Sequence, residues 1–149
     1  MVNFSEIPVI KQHIELYRTD PEKAHMCDST VAGGPGCPVP TLLLTTTGRK
    51  SGQPRAAPLI YGEAGGSYVV IASKGGMPTH PVWYLNLEAN PECELMVGPK
   101  AVSARARVAE GEERERLWQQ MAKLYPPYDR YQERSGARTI PVVVLNPTD

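Results

Sequence analysis

Short apolar runs separated by turn residues dominate the chain after residue 40. Six of these runs have the β-branched and apolar content of strands, at residues 41–47, 55–61, 68–73, 93–97, 101–108 and 139–145. Glycine- or proline-containing breaks at 63–66 and 98–100 join neighbouring runs at hairpin spacing. The pattern predicts a mainly antiparallel sheet of about six strands that closes, wholly or partly, into a small barrel.

Three other stretches have helical spacing. Residues 4–18 carry apolar side chains on one helical face, and residues 81–89 and 110–124 predict a short and a longer helix. We expect the longer helix to cover one opening of the sheet. Residues 19–40 contain a Gly-Gly-Pro-Gly run and read as a loop. The prediction is an α+β fold with flanking helices.

The length of 149 residues fits a single domain, residues 1–149. We divide it into an N-terminal amphipathic helix at 1–18, the loop at 19–40 and a barrel core at 41–147. We favour packing of the first helix against its own domain, and a peripheral membrane contact is the alternative.

The charges balance, with 16 basic and 16 acidic residues. No overall field therefore favours nucleic acid, and any anion site must be local. Three cysteines at irregular spacing do not form a disulfide framework, and His25, Cys27 and Cys37 lack a second ligand pair with zinc spacing. We expect a cytoplasmic protein without a metal.

The strongest local feature is the turn at residues 48–55, Gly-Arg-Lys-Ser-Gly-Gln-Pro-Arg, which we call the cationic turn. Its three cations are Arg49, Lys50 and Arg55. Two glycines allow close backbone approach, hydroxyls lie nearby, and a guanidinium suits phosphate or carboxylate. A solvated basic hairpin is the equally weighted alternative. The spacing fits neither a P-loop nor a dinucleotide fingerprint.

Two further segments carry candidate chemistry. Residues 72–86 run from a strand through Gly75 and Gly76 into the short helix, where backbone amides can face a ligand; an ordinary turn with a packed Trp83 is the alternative. Residues 125–131 carry three tyrosines, of which Tyr128 and Tyr131 fit one helical face. Their hydroxyls can donate to an acceptor oxygen while the rings form a pocket wall, or they are plain core or surface residues.

Taken in order, these segments resemble the deazaflavin-dependent nitroreductase family of actinobacteria. The matching runs are LLLTTTGRKSGQPR, ASKGGMPTHPVWYLNL, YPPYDRYQ and IPVVVL, which are collinear over residues 40–147. The resemblance implies a split β-barrel related to flavin-binding pyridoxamine-phosphate-oxidase-like proteins. It also implies coenzyme F420, a deazaflavin with a phosphodiester-linked polyglutamate tail.

The resemblance further implies roles for individual residues. The expected binding site for the cofactor tail consists of Thr47, Arg49, Lys50, Ser51, Gly52 and Arg55. The expected lining of the deazaflavin ring consists of Ser73, Gly75, Gly76 and Met77. Trp83, Tyr128 and Tyr131 match aromatics on the substrate side, and the two tyrosines are the candidate catalytic residues.

The implied reaction is hydride transfer from reduced F420 to an electron-poor small molecule, a quinone, an activated enone or a nitroaromatic. A tyrosine or an ordered water would hydrogen-bond the acceptor oxygen as charge develops. Two other interpretations stay open: a non-catalytic barrel that binds a lipid or a cofactor, and an oxidoreductase that uses FMN. Oligomeric state is not predicted.

Overall fold

The computed structural model of the protein describes residues 14–15, 19, 26–28, 38–73, 80–125, 127–134 and 139–148. Within these residues the strands are β1 (Met26–Asp28), β2 (Pro38–Thr47), β3 (Pro54–Ala64), β4 (Ser67–Ile71), β5 (Glu92–Val97), β6 (Lys100–Val108) and β7 (Val142–Pro147). The helices with defined bounds are α1 (Val82–Ala89), α2 (Gly111–Leu124) and α3 (Pro127–Arg134).

Strands β2 to β7 form a closed antiparallel barrel. The order is β2-β3-β4-β7-β6-β5, and β5 pairs back onto β2 with Leu44 opposite Leu95. The predicted six-stranded antiparallel barrel is confirmed, with strand ends that differ from the predicted ends by up to three residues.

The prediction of a loop over residues 19–40 is wrong at two places. β1 lies within it, and β2 begins at Pro38, because Cys27 pairs with Val39 in an antiparallel ladder. The local sequence is rich in glycine and proline, so the pairing partner supplied by the fold decides the structure here.

Apolar side chains of alternating strand positions fill the barrel. Leu42 and Leu44 of β2 are fully buried in this interior cluster, as is Leu145 of β7. Helix α1 contributes Trp83, Tyr84 and Leu87 to the same cluster. The helix that packs with the barrel interior is therefore the short one.

Helix α2 packs elsewhere, so the expectation that it covers an opening is wrong. Its Leu117 and Met121 are buried against Ile60, Val69 and Val144. These three strand residues belong to β3, β4 and β7 and alternate with interior residues, so they face outward. The apolar outer wall of these strands requires a cover, and α2 together with α3 provides it.

Most of the predicted N-terminal helix lies outside the described residues. Ile14 and Glu15 are helical, and Ile14 is buried against Leu43 on the outer side of β2, with Ala56 and Met96 beside it. At Ile14 the apolar side of the helix therefore faces the protein's own barrel.

We expect Leu145→Ala to lower the free energy of unfolding by about 2–5 kcal/mol, because it opens a cavity in a fully packed interior. Chemical denaturation measures the change. The matched control is Val108→Ala, where the side chain is 43% exposed and the expected change is about 0.5 kcal/mol or less. Equal losses for both variants would contradict the assignment of the interior.

Candidate functional site

The cationic turn links β2 to β3 at one end of the barrel. Two backbone hydrogen bonds close it, from Gly48 N–H to the Gln53 carbonyl and from Gly52 N–H to the Gly48 carbonyl, both 2.8 Å. Gly52 has a φ of 71°, which favours glycine. A Cβ at residue 48 would lie 2.6 Å from the Ser51 hydroxyl oxygen and 3.2 Å from the Gln53 carbonyl oxygen, so a side chain there would require Ser51 to move.

A buried asparagine of α1 anchors the tip of the turn. The Asn86 side chain is 1% exposed. Its Oδ1 accepts a hydrogen bond from the Arg49 backbone N–H at 3.1 Å, and its Nδ2 donates to Thr46 Oγ1 at 3.0 Å. Sequence analysis assigned Asn86 no role; the signal that could have identified it is one amide among the apolar residues of α1.

The three cations of the turn are exposed and make no ion pair with any described residue. Arg55 lies opposite Thr46 in the β2–β3 register, so both side chains lie on the same face at the end of the barrel. Arg55 Nη2 donates to Ser51 Oγ at 3.5 Å, and that oxygen also accepts the Gln53 N–H. The turn therefore presents unneutralised positive charge on a fixed backbone, which suits an anionic ligand.

The predicted pairing of Tyr128 and Tyr131 on one helical face is confirmed, since both lie on α3 and in one buried cluster. Tyr125, at the end of α2, joins them. The hydroxyls of Tyr125 and Tyr131 are 3.1 Å apart and hydrogen-bonded, and the rings of Tyr125 and Tyr128 meet edge to face at 4.9 Å. Sequence analysis did not single out Tyr125, although it is the third tyrosine of the same segment.

A pocket opens between this tyrosine cluster and the outer side of β3 and β4. Its lining is mainly apolar and consists of Pro58, Leu59, Ile60, Ile71, Ser73, Tyr125, Tyr128 and Tyr131. The Tyr128 side chain is 4% exposed, and its hydroxyl has no hydrogen-bond partner in the part of the chain that the structure describes. A buried donor without a partner in a pocket wall is suited to a ligand oxygen.

Burial raises the pKa of two phenols of this cluster, Tyr125 and Tyr128. Desolvation raises the pKa of Tyr128, and the neighbouring Tyr125 and Tyr131 raise it further. Desolvation and the hydrogen bond with Tyr131 raise the pKa of Tyr125. The phenols of Tyr125 and Tyr128 are therefore hydrogen-bond donors, not bases, around neutral pH.

The predicted site residues fall into separate groups. Thr47, Arg49, Lys50, Ser51, Gly52 and Arg55 lie together on or beside the cationic turn. Ser73 lies in the pocket with Tyr128 and Tyr131. Trp83 is not brought to this pocket: it is buried in the barrel interior, its ring edge to face with that of Tyr84. Gly75, Gly76 and Met77 lie outside the described residues.

The six-stranded antiparallel barrel with covering helices has the split-barrel fold. A Listeria innocua structure whose description names pyridoxamine 5'-phosphate oxidase shares the fold, with a TM-score of 0.52 at 18% identity over 73% of this chain and 84% of that chain. This similarity concerns the fold alone.

Closer matches identify the family. The family model for F420H(2)-dependent quinone reductase matches residues 17–147. An F420H(2)-dependent quinone reductase of Mycobacterium tuberculosis is 46% identical over 74% of this chain and 75% of its own length. A solved F420-H2 dependent reductase has a TM-score of 0.66 at 46% identity, over 71% of this chain and 93% of that chain. The chain belongs to the F420H(2)-dependent quinone reductase family.

Family membership makes the protein an F420-dependent oxidoreductase. Coenzyme F420, not FMN, is therefore its cofactor, and the interpretation as a non-catalytic lipid carrier is set aside. Among the described residues there is no cluster of metal-ligating side chains and no helix long and apolar enough to cross a membrane.

The raised phenol pKa values predict that the protein loses stability in alkali. Unfolded tyrosines ionise near pH 10, while Tyr125 and Tyr128 stay protonated in the folded state, so the unfolded state binds fewer protons above about pH 10. We expect the free energy of unfolding to hold below that pH and to fall as the pH rises past it. Denaturation at several pH values measures this.

Tyr128→Phe removes one of the two phenols whose pKa is raised in this cluster and should flatten the alkaline decline. A rise in tyrosinate absorbance at the midpoint of a free phenol that is smaller in Tyr128→Phe than in the wild type would be inconsistent with the burial described.

Proposed function

We propose that the protein transfers a hydride from reduced F420 to a quinone-type acceptor, with the cofactor tail at the cationic turn and the acceptor in the tyrosine-lined pocket. The observation that carries the proposal is that strand β3 contributes residues both to the cationic turn and to the pocket. Arg55 of the turn and Leu59 of the pocket are four residues apart on this strand, about 13 Å, and their side chains lie on the same face. One elongated ligand can therefore extend from cation to pocket.

The cationic turn fits the tail of F420. Its exposed cations make no ion pairs with described residues, so phosphate and glutamate carboxylates meet charges that are not already neutralised. Arg49, Lys50 and Arg55 would hold these anions, while Ser51 and Thr47 offer hydroxyls beside them. Gly52 and the tight packing at Gly48 bring the backbone close without side-chain bulk.

The pocket suits an uncharged, flat acceptor. No charged side chain lines it, and its walls are prolyl, aliphatic and aromatic. The acceptor ring would pack against the tyrosines, and Ser73 would contribute to the cofactor side. When bound, the reduced cofactor supplies the hydride.

Tyr128 is the residue we assign to the acceptor oxygen. Its neutral hydroxyl, buried and without a described partner, can donate a hydrogen bond where negative charge develops. Tyr131 would hold the wall through its hydrogen bond with Tyr125. A role for Trp83 on the substrate side stays a prediction; its position in the barrel interior favours an indirect effect through packing.

Within the same chemistry, activated enones and nitroaromatics are further candidate acceptors, because both place a carbonyl or nitro oxygen where a phenol can donate. Reduction of each by wild-type protein and reduced F420 would be compared with reduction of quinones. A cytoplasmic location and a peripheral membrane contact both stay predictions.

Titration with oxidised F420 and with FMN, followed by fluorescence, tests the cofactor assignment. We expect saturable micromolar binding of F420 and much weaker binding of FMN. Consumption of reduced F420 in the presence of a quinone tests the reaction. Absence of saturable F420 binding would overturn the proposal.

Replacing Lys50 or Arg55 with Ala should weaken F420 binding by about fivefold at low ionic strength, and the loss should shrink as salt is added, because exposed charge pairs are screened. Fluorescence titration at several salt concentrations measures both effects. Lys100→Ala, at an exposed cation outside the turn, is the matched control. Affinity that stays the same at low salt would refute the tail assignment.

Tyr128→Phe should lower kcat by about tenfold to a hundredfold with little change in F420 affinity, because the lost donor acts on the developing charge. Steady-state kinetics with a quinone and a parallel F420 titration separate the two effects. Tyr68→Phe, at a tyrosine that does not line the pocket, serves as the control. A large loss of cofactor affinity with normal kcat would move Tyr128 to the cofactor side.

A further inference from the structure

We propose that Asn86 is a positioning residue for the cofactor tail: its buried carboxamide fixes the backbone of the cationic turn and thereby the positions from which Arg49 and Lys50 extend. The inference rests on the proposed function, because it concerns how the same turn binds the tail. It assigns a role in tail binding to a residue that lies on helix α1, not on the turn, and that acts without contacting the ligand.

Both polar atoms of the Asn86 carboxamide are hydrogen-bonded. The oxygen accepts from Arg49 N–H at 3.1 Å, and the nitrogen donates to Thr46 Oγ1 at 3.0 Å. Thr46 is itself 2% exposed, so water does not compete for this contact. The Thr46 hydroxyl thus holds the carboxamide in the orientation that presents its oxygen to the turn.

The turn depends on this contact for its placement. Its other hydrogen bonds are internal, between Gly48, Gly52 and Gln53 and at the Ser51 hydroxyl. In the part of the chain that the structure describes, the bond to Asn86 is the one that ties residues 49–52 to an element outside the β2–β3 hairpin. Without it the turn would keep its internal shape and lose its attachment to α1.

The hydrogen bond from Arg49 to Asn86 determines which groups of Arg49 are available to an anion. Because the Arg49 N–H is occupied by Asn86, anions reach Arg49 through its exposed guanidinium and not through that amide. Loss of the anchor spreads the cations of the turn over more positions, which weakens binding of the phosphate and glutamates. The pocket residues on β3 and α3 are not part of this contact, so binding of the deazaflavin ring should change little.

Asn86→Leu removes both hydrogen bonds at similar volume. We expect affinity for F420 to fall about tenfold, the equivalent of one lost buried hydrogen bond. Affinity for the tail-less deazaflavin should stay within about twofold of the wild-type value. This ligand lacks the phosphodiester and glutamates, so it has no anions for the turn to bind. Fluorescence titration measures both ligands.

A second pair of variants tests the orientation of the carboxamide. Thr46→Val removes the acceptor of Asn86 Nδ2 and should weaken F420 binding in the same direction but less. Thr46→Ser restores a hydroxyl and should rescue the affinity. Hydrogen exchange without ligand gives an independent measurement: the Arg49 amide should exchange faster in Asn86→Leu than in the wild type.

Asn90→Ala is the matched control, because Asn90 lies at the end of the same helix and its side chain accepts from Glu92 N–H, away from the turn. It should leave binding of F420 unchanged. Equal loss of both ligands in Asn86→Leu, or unchanged F420 affinity, overturns the inference. If Asn86→Leu does not fold, Thr46→Val and Thr46→Ser provide the test, through the same comparison of their affinities for F420 and for the tail-less deazaflavin. Failure of the wild type to bind F420 would instead overturn the proposed function.

Discussion

The pairing of β2 with both β3 and β5 is the constraint on which the rest of the structure depends. Strand β2 closes the sheet into a barrel, because Leu43, Leu44 and Thr45 each lie opposite a residue of β3 on one side and a residue of β5 on the other. Closure gives every strand an inner and an outer side. The inner side is filled by apolar side chains and α1, while the outer wall of β3, β4 and β7 requires α2 and α3 as its cover.

In the proposed function, closure also separates the cationic turn, assigned to the cofactor tail, from the tyrosine-lined pocket, assigned to the acceptor. The turn that follows β2 carries the positive charge, and α1, which packs with the barrel interior, reaches this turn through Asn86. The tyrosines lie on the other side of the barrel wall, held by the helices of the outer cover. Under this proposal the cations would bind the tail at a solvent-exposed end while a neutral phenol would donate in a buried pocket, where an uncompensated charge would be costly.

Local patterns predicted the barrel because strand and turn signals depend on neighbouring residues. The six runs, the hairpin breaks and the α2 boundaries all follow from short-range alternation and turn chemistry. The same reasoning missed β1, whose structure depends on a partner about a dozen residues away. It also assigned α2 to an opening, since an amphipathic pattern identifies a buried face and not the surface that buries it.

For the site, the sequence by itself determined the chemistry available: three cations on a glycine turn, three tyrosines in one segment, and motifs specific enough to indicate an F420 enzyme. Tertiary structure decided which groups meet. It placed Trp83 in the barrel interior, joined Tyr125 to the tyrosine cluster, and brought Asn86 to a turn 37 residues before it. These are long-range contacts made by barrel closure, and no local spacing encodes them.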